Sequence, residues 1–275
     1  MTLSTIRNNP AKQKKVKTKK QKAIAATCAV AFWLLVWHVV SLCVGSELVL
    51  VSPVKVVQTL FTVIFDPDFL KTVWYSAARI LGGFFTALTL GTVLGWVASR
   101  FWIVETLLRP ITAVIKATPV ASFIILVLLW FSGKNLSVII SMLMVFPVIY
   151  MNVLEGIRSA DKKLLEMAQV FRLSVGKKLL YIYLPAVAPF FVSACSVSLG
   201  LCWKSGIAAE VIGTPDGSIG AVFYQAKIFL QTSELLAWTV VVVAVSVAFE
   251  KLFMFLLRLV LKKLKMEDVL NGKRA

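Results

Sequence analysis

Six apolar runs, each close to the length that crosses a bilayer, dominate this chain of 275 residues and leave few folds open to it. A backbone that enters hydrocarbon must satisfy every peptide group within its own segment, so each run is expected to be helical. The runs fall at about 24–44, 80–98, 111–131, 136–154, 183–203 and 235–257. Charged residues are only 16% of the chain against 59% hydrophobic, too few to clothe a soluble domain of this size. The expected fold class is an all-α membrane protein with six transmembrane helices. The first run, from Ile24 to Val44, is long enough to span and lacks a small-x-small cleavage site, so it is expected to be retained rather than cleaved as a leader.

The net charge of +17 would suit nucleic acid, but its distribution does not. Residues 1–23 hold eight basic side chains and no acid, and residues 258–275 hold six more. No aromatic residues interleave the lysines of "AKQKKVKTKK", so nothing there could stack on bases. A basic, disordered arm at 1–23 and a basic tail at 258–275, beside anionic lipid, account for the excess. With the N-terminus cytoplasmic, the inside segments 1–23, 99–110, 155–182 and 258–275 carry 22 Lys and Arg, and the outside loops 45–78, 132–135 and 204–234 carry 5. That bias predicts both termini in the cytoplasm, around a membrane domain at 24–257.

The second run carries Gly83, Ala87, Gly91 and Gly95 at four-residue intervals. Small residues on one helix face let two backbones approach closely in lipid, and the partner helix is open between this chain and another. Pro119 predicts a kink or late start in the third span, and Pro147 a kink in the fourth. Cys28, Cys43, Cys195 and Cys202 form no C-x-x-C pair and the chain has a single histidine, which argues against a metal centre. No convergent His, Asp or Cys cluster suggests an enzyme.

Residues 155–182 form a polar interruption between the fourth and fifth spans. Leu164, Leu165, Ala168, Phe171 and Val175 follow helical spacing on one face, opposed by Lys162, Lys163, Glu166, Gln169 and Arg172. Ser159 or Asp161 can cap a first helix, and Ser174 a second that runs toward Pro185. Such an element can lie in the headgroups or dock into a groove of a soluble partner.

The order Glu166-Met167-Ala168, Arg172, Ile182, Leu184, Pro185 resembles the EAA–x3–G–x9–I–x–L–P signature of ABC importer permeases. Met167 departs mildly from it, and Arg172 stands at the signature's glycine, where two short helices turn. A shift of that turn toward Gly176 is the expected accommodation. "SPVKVVQTL", "SAARILGGF", "ATPVASFIILVLLWF", "FPVIYMNVLEGIRSAD" and "AAEVIGTPDGSIGAVFYQAKIFLQTSELLAW" extend the similarity over roughly 50–257, toward the nitrate, sulfonate and taurine branch.

The resemblance implies a type I ABC importer permease-like bundle, paired with a second permease copy as a homodimer. It implies two copies of an ATPase subunit, which bind ATP and Mg, and an extracytoplasmic substrate-binding protein. The contact with the ATPase would be a coupling helix bearing Leu164, Leu165, Glu166, Ala168, Phe171, Arg172 and Gly176. This chain has no G-x-x-x-x-G-K-[ST] and no cofactor of its own is expected. The segment 206–234, with the turn signal Thr214-Pro215-Asp216-Gly217, would form the outer gate. Trp203, Lys204 and Glu210 are the candidates for the translocation path, with Lys204 free to pair with Glu210 or to snorkel outward. An ion-coupled secondary transporter is the alternative, and it would want carboxylates or histidines inside the bundle.

Overall fold

A computed structural model describes residues 19–264, with side chains from residue 24 onward. The arm at 1–18, with the disorder expected of it, and the tail from 265 lie outside the described residues. The chain divides into two compact units, Met1–Lys55 and Val56–Ala275. In the first, α1 (Lys19–Val44) begins before the expected boundary at residue 24. Its Phe32, Trp33, Leu35 and Leu42 are exposed, as suits side chains that face hydrocarbon. The helix stops at Gly45, which takes φ 65°, a left-handed conformation open to glycine without a Cβ penalty.

All the regular structure described in the second unit is helical. A short helix, α2 (Pro53–Ile64), was not anticipated; Pro53 opens it, where a missing N–H costs nothing. Then follow α3 (Phe69–Arg100), α4 (Trp102–Ala117), α5 (Val120–Trp130), α6 (Gly133–Arg158), α7 (Lys162–Val170) and α8 (Val175–Lys178). A π-helical turn at Leu179–Tyr183 leads into α9 (Leu184–Gly213), followed by α10 (Ile219–Ile228) and α11 (Thr232–Lys263). Among the described residues, five helical segments are long and apolar enough to cross a membrane: Ile24–Val44, Phe69–Arg100, Gly133–Arg158, Val175–Gly213 and Thr232–Lys263. Several outrun their expected windows, because polar ends that hydropathy discounts remain helical when neighbouring helices pack on them.

The third expected span is a pair of helices, α4 and α5, that meet at 110°. Pro119 is responsible: it forces Thr118 into an extended conformation (φ −84°, ψ 134°), and α5 starts afresh at Val120. Pro147, by contrast, leaves α6 unbroken.

The small-residue stripe of α3 packs on α6 of the same chain. A Cβ on Gly83 would meet the Val138 carbonyl, one on Gly91 would meet Ile149 at 3.0 Å, and one on Gly95 would meet Val153 at 3.0 Å. Ala87, midway along the stripe, is fully buried. Contacts advance together along both helices, so α3 and α6 run parallel. Two parallel neighbours need a return path between them, and α4 with α5 supplies it, crossing the bundle once despite the bend. That makes the sixth span.

Against this pair, α9 runs antiparallel: Gly133 approaches Gly213 at one end of α6 and Gly156 approaches Val187 near the other. Ile80, Phe84, Val145, Ile149, Leu199 and Trp203 form the core between the three. From α11, Phe253 meets Phe84 edge-on with ring centroids 5.3 Å apart. A second cluster, with Ile115, Ile124, Leu136 and Ile140, fixes the bent pair against α6.

Candidate functional site

Two regions carry the residues singled out from the sequence, one at each end of α9. At its start, α7 is capped by Asp161, whose Oδ1 accepts from the Lys163 amide at 2.9 Å. Ser159 instead belongs to the end of α6, where its hydroxyl donates to the Gly156 carbonyl. Ser174 precedes α8, but its side chain makes no cap hydrogen bond.

The turn between α7 and α8 stays where the signature has glycine and does not shift to Gly176. Arg172 itself adopts φ 48°, while Gly176 lies inside α8 without a positive φ. The Leu173 amide donates to the Ala168 carbonyl at 2.9 Å and the Arg172 amide to the Gln169 carbonyl at 3.1 Å. That pair of bonds is a Schellman ending, and it satisfies carbonyls that α7 would otherwise leave open. Left-handed backbone costs a side-chain-bearing residue about 1–2 kcal/mol, so the two bonds and the packing of Leu173 hold Arg172 in place.

The apolar face expected on α7 divides in two. Ala168 is fully buried and packs with Ala160, Ile182 and the partly buried Leu165 and Leu173. On the other side Leu164, Met167, Val170 and Phe171 stand exposed, the last two at 78% and 71%. Val175 follows them at 77%. Glu166, Arg172 and Gly176 are exposed beside this crest. Met167 and Val170 were missed by the sequence reading. Their i, i+3 spacing was the available signal, and it was masked by the stronger Leu164-Leu165 pair.

At the far end of α9, the segment 206–234 is not the long loop expected. Residues to Gly213 continue α9, Thr214 turns in the left-handed region at φ 41°, and α10 occupies Ile219–Ile228. Ser218 caps α10 by accepting from the Ala221 amide at 3.0 Å. Trp203, Lys204 and Glu210 are therefore all helical. Trp203 lies in the core, only Lys204 is exposed, and Glu210 is completely buried. Glu210 does not pair with Lys204. Its Oε2 accepts from the Ser76 hydroxyl at 2.6 Å and from the Gly220 amide at 3.4 Å, and Ser76 Oγ in turn accepts from the Ile219 amide at 2.9 Å. This knot binds α3, α9 and the first turn of α10. A carboxylate there faces the free amides of a helix N-terminus, which favour negative charge. Arg79, one turn along α3 from Ser76, donates to the Tyr75 hydroxyl at 2.9 Å and lies over its ring.

Among the described residues there is no group of three or more His, Cys, Asp or Glu that could hold a metal.

Comparison with known proteins agrees with this architecture. A solved relative in fold, the crystal structure of an amino acid ABC transporter with histidines, covers 70% of this chain and 96% of its own, with a TM-score of 0.51 at 16% identity. The putative aliphatic sulfonates transport permease protein SsuC of Bacillus subtilis is 29% identical over 216 residues, 78% of each chain. The taurine transport system permease protein TauC of Escherichia coli is 27% identical over 220 residues, 78% of this chain and 80% of its own. The nitrate import permease protein NrtB of Synechocystis is 25% identical over 214 residues, 74% and 76%. Residues 87–266 match the family model of the binding-protein-dependent transport system inner membrane component. The chain belongs to that family and is a multi-pass inner-membrane permease of the ABC importer type.

Proposed function

We propose that this permease works as one of two identical copies, each seated through α7 on its own ATPase subunit, and receives solute from an extracytoplasmic binding protein. ATP and Mg belong to the ATPase, since this chain lacks a phosphate-binding loop. Both termini and α7 face the cytoplasm in this reading, on the strength of 22 basic residues against 5. Membership of the importer family sets aside ion-coupled secondary transport.

The observation that carries the proposal is the exposed crest of Leu164, Met167, Val170 and Phe171 on a helix whose inner face is locked by Ala168 and Leu165. Such a helix can be pushed as a rigid body, and Ile182 beneath it passes the displacement to the start of α9. A headgroup-lying helix is the competing use, suited by the exposed Lys162, Lys163 and Arg172, and the two uses differ in whether the crest is needed to retain the ATPase. Of the three path candidates only Lys204 is exposed, and solute contact is therefore proposed for it alone, with Trp203 and Glu210 as buried structural groups.

Names of the relatives point to sulfonates, taurine and nitrate as their solutes, and a small oxyanion or sulfonate is the solute class proposed for this chain. The test is copurification. Val170→Asp with Phe171→Asp is expected to abolish recovery of the co-expressed ATPase while the permease still inserts. Undiminished ATPase in the doubly substituted complex would refute the seat on α7.

A further inference from the structure

The bend after α4 leaves an open groove between α4 and α6. Arg109 and Lys116 are seven residues apart on α4, which places them on one face, two turns or about 10 Å from each other. With Thr112, Ala113, Ala117 and Met151 they line a cavity of about 450 Å3. A second cavity of about 370 Å3 shares Arg109, Thr112 and Met151 and continues to Glu155 and the paired Glu105 and Arg158 at the α7 end. The small side chains at 112, 113 and 117 provide the room.

What distinguishes the groove is its charge balance. Glu105 is paired with Arg158, and Glu155 lines only the second cavity. The first cavity contains cations alone. The Lys116 ammonium finds the Met151 thioether at 3.5 Å, a weak acceptor that offers no charge. Arg109 makes no hydrogen bond or ion pair among the described residues. Ordinary fates for such side chains fall short here. Snorkelling would carry the Lys116 head toward the bundle end, yet it sits against Met151, about 10 Å along α6 from Arg158. The C-terminal dipole of α4 favours Lys116 but not Arg109, two turns upstream. Arg109 and Lys116 are both exposed to the groove, and although Arg109 also borders the second cavity with Glu105 and Glu155, no acid lines the first, so the pair presents a positive field there that favours an anion from outside the chain.

We propose that the α4–α6 groove is an oxyanion-binding site, in which the guanidinium of Arg109 takes two oxygens of a sulfonate, nitrate or phosphate group and Lys116 supplies the second positive charge. A planar guanidinium fork matches such oxygens two at a time, and an ammonium adds an undirected charge. The cavity has the size of an ordinary small-molecule site. The anion is either the transported solute, pausing at a step on its way to the cytoplasm, or the phosphate of a lipid headgroup. Only the first of these rests on the function proposed above.

The experiment places a thiol in the groove at Ala113, an exposed position on the same face. The full chain with Ala113→Cys, and with Cys28→Ser and Cys43→Ser to remove the exposed thiols, is held in phosphatidylcholine nanodiscs. It is then labelled with anionic sulfonatoethyl or cationic trimethylammonioethyl methanethiosulfonate. The expected ratio of the two rates favours the anionic reagent about tenfold over the ratio for free cysteine, as field focusing in a cationic cleft does. Arg109→Gln with Lys116→Gln should abolish that preference. Protection of the thiol from N-ethylmaleimide by millimolar methanesulfonate at constant ionic strength would identify a soluble anion as occupant. Protection only when phosphatidylglycerol replaces part of the phosphatidylcholine would identify a lipid headgroup. No charge preference in the protein that keeps Arg109 and Lys116, and no protection by either anion, would overturn the site, whether or not the glutamine variants fold. These rates require neither ATP nor the ATPase, so failure here and failure of the α7 seat are separate results.

Discussion

The Ser76 hydroxyl donates to the Glu210 carboxylate at 2.6 Å while accepting from the Ile219 amide at 2.9 Å, joining three helices that lie far apart in sequence. One small side chain thus serves one oxygen of a buried acid and an orphan amide at the start of α10. Ser76→Ala should leave the Ile219 amide unpaired and Glu210 with only the long Gly220 bond, and cost about 1–3 kcal/mol, lowering the apparent Tm of the purified complex by about 5 °C. A Tm within a degree of the parent would mean that water or Arg79 takes over the role.

Neighbouring glycines on α3 should respond in opposite ways. A Cβ at Gly83 would run into the Val138 carbonyl and the Ser141 side chain, whereas a Cβ at Gly82 meets nothing within 4 Å. Gly83→Ala is expected to destabilise by about 1–3 kcal/mol, through forced separation of α3 and α6. Gly82→Ala should be neutral or stabilise by up to about 1 kcal/mol, because alanine restrains the unfolded helix. Thermal aggregation of the two variants in the same detergent compares them directly.

Arg172 holds a conformation that glycine adopts without penalty. Arg172→Gly should tighten the α7 ending, slowing hydrogen exchange at the Leu173 amide by about three- to tenfold, whereas Arg172→Val should speed it. The Asp161 cap at the opposite end makes a matching case. Asp161→Ala removes the acceptor for the Lys163 amide and is expected to cost about 1 kcal/mol, seen as faster exchange over the first turn of α7.

Inner and outer faces of α7 should separate stability from partnership. Leu165→Ala trims a side chain packed with Ala168 and Ile182 and is expected to lower the Tm of the permease itself. Val170→Ala trims a side chain exposed over most of its surface, and is expected to leave the Tm unchanged while weakening retention of the ATPase. Equal loss of Tm in both would place the two residues in one core.

How much was legible follows from which forces leave a one-dimensional trace. The capped helix and its two candidate caps, Ser159 and Asp161, are legible because capping joins residues two or three apart, and the structure chooses Asp161. The break at Pro119 was equally local. Arg172 was located but its outcome was not: the shift to Gly176 looked cheaper, and the Leu173–Ala168 bond made the left-handed residue cheaper still. Glu210 stands out in the sequence as an ionisable group near a span, but the sequence offers it Lys204, six residues away, as one possible partner, and the structure gives it Ser76, 134 residues away. Residues 206–234 looked like a loop because glycine and polar residues dilute the hydropathy there. They are largely helical because Gly213 and Gly220 let the backbone pack closely on Gly133 and Glu210.

The sequence by itself determined the all-helical membrane class, the number of crossings, the charge bias between the two sides and the place of the polar helix. Each follows from run length, local charge or near-neighbour hydrogen bonding. Tertiary structure alone decided which faces are interior: that the glycine stripe of α3 belongs to α6, that Ala168 points inward while Val170 and Phe171 point out, and that Arg109 and Lys116 share one groove. The reason is physical. Lipid is as apolar as a helix core, so hydropathy does not separate the side of a helix that meets lipid from the side that meets another helix, and close packing makes that choice.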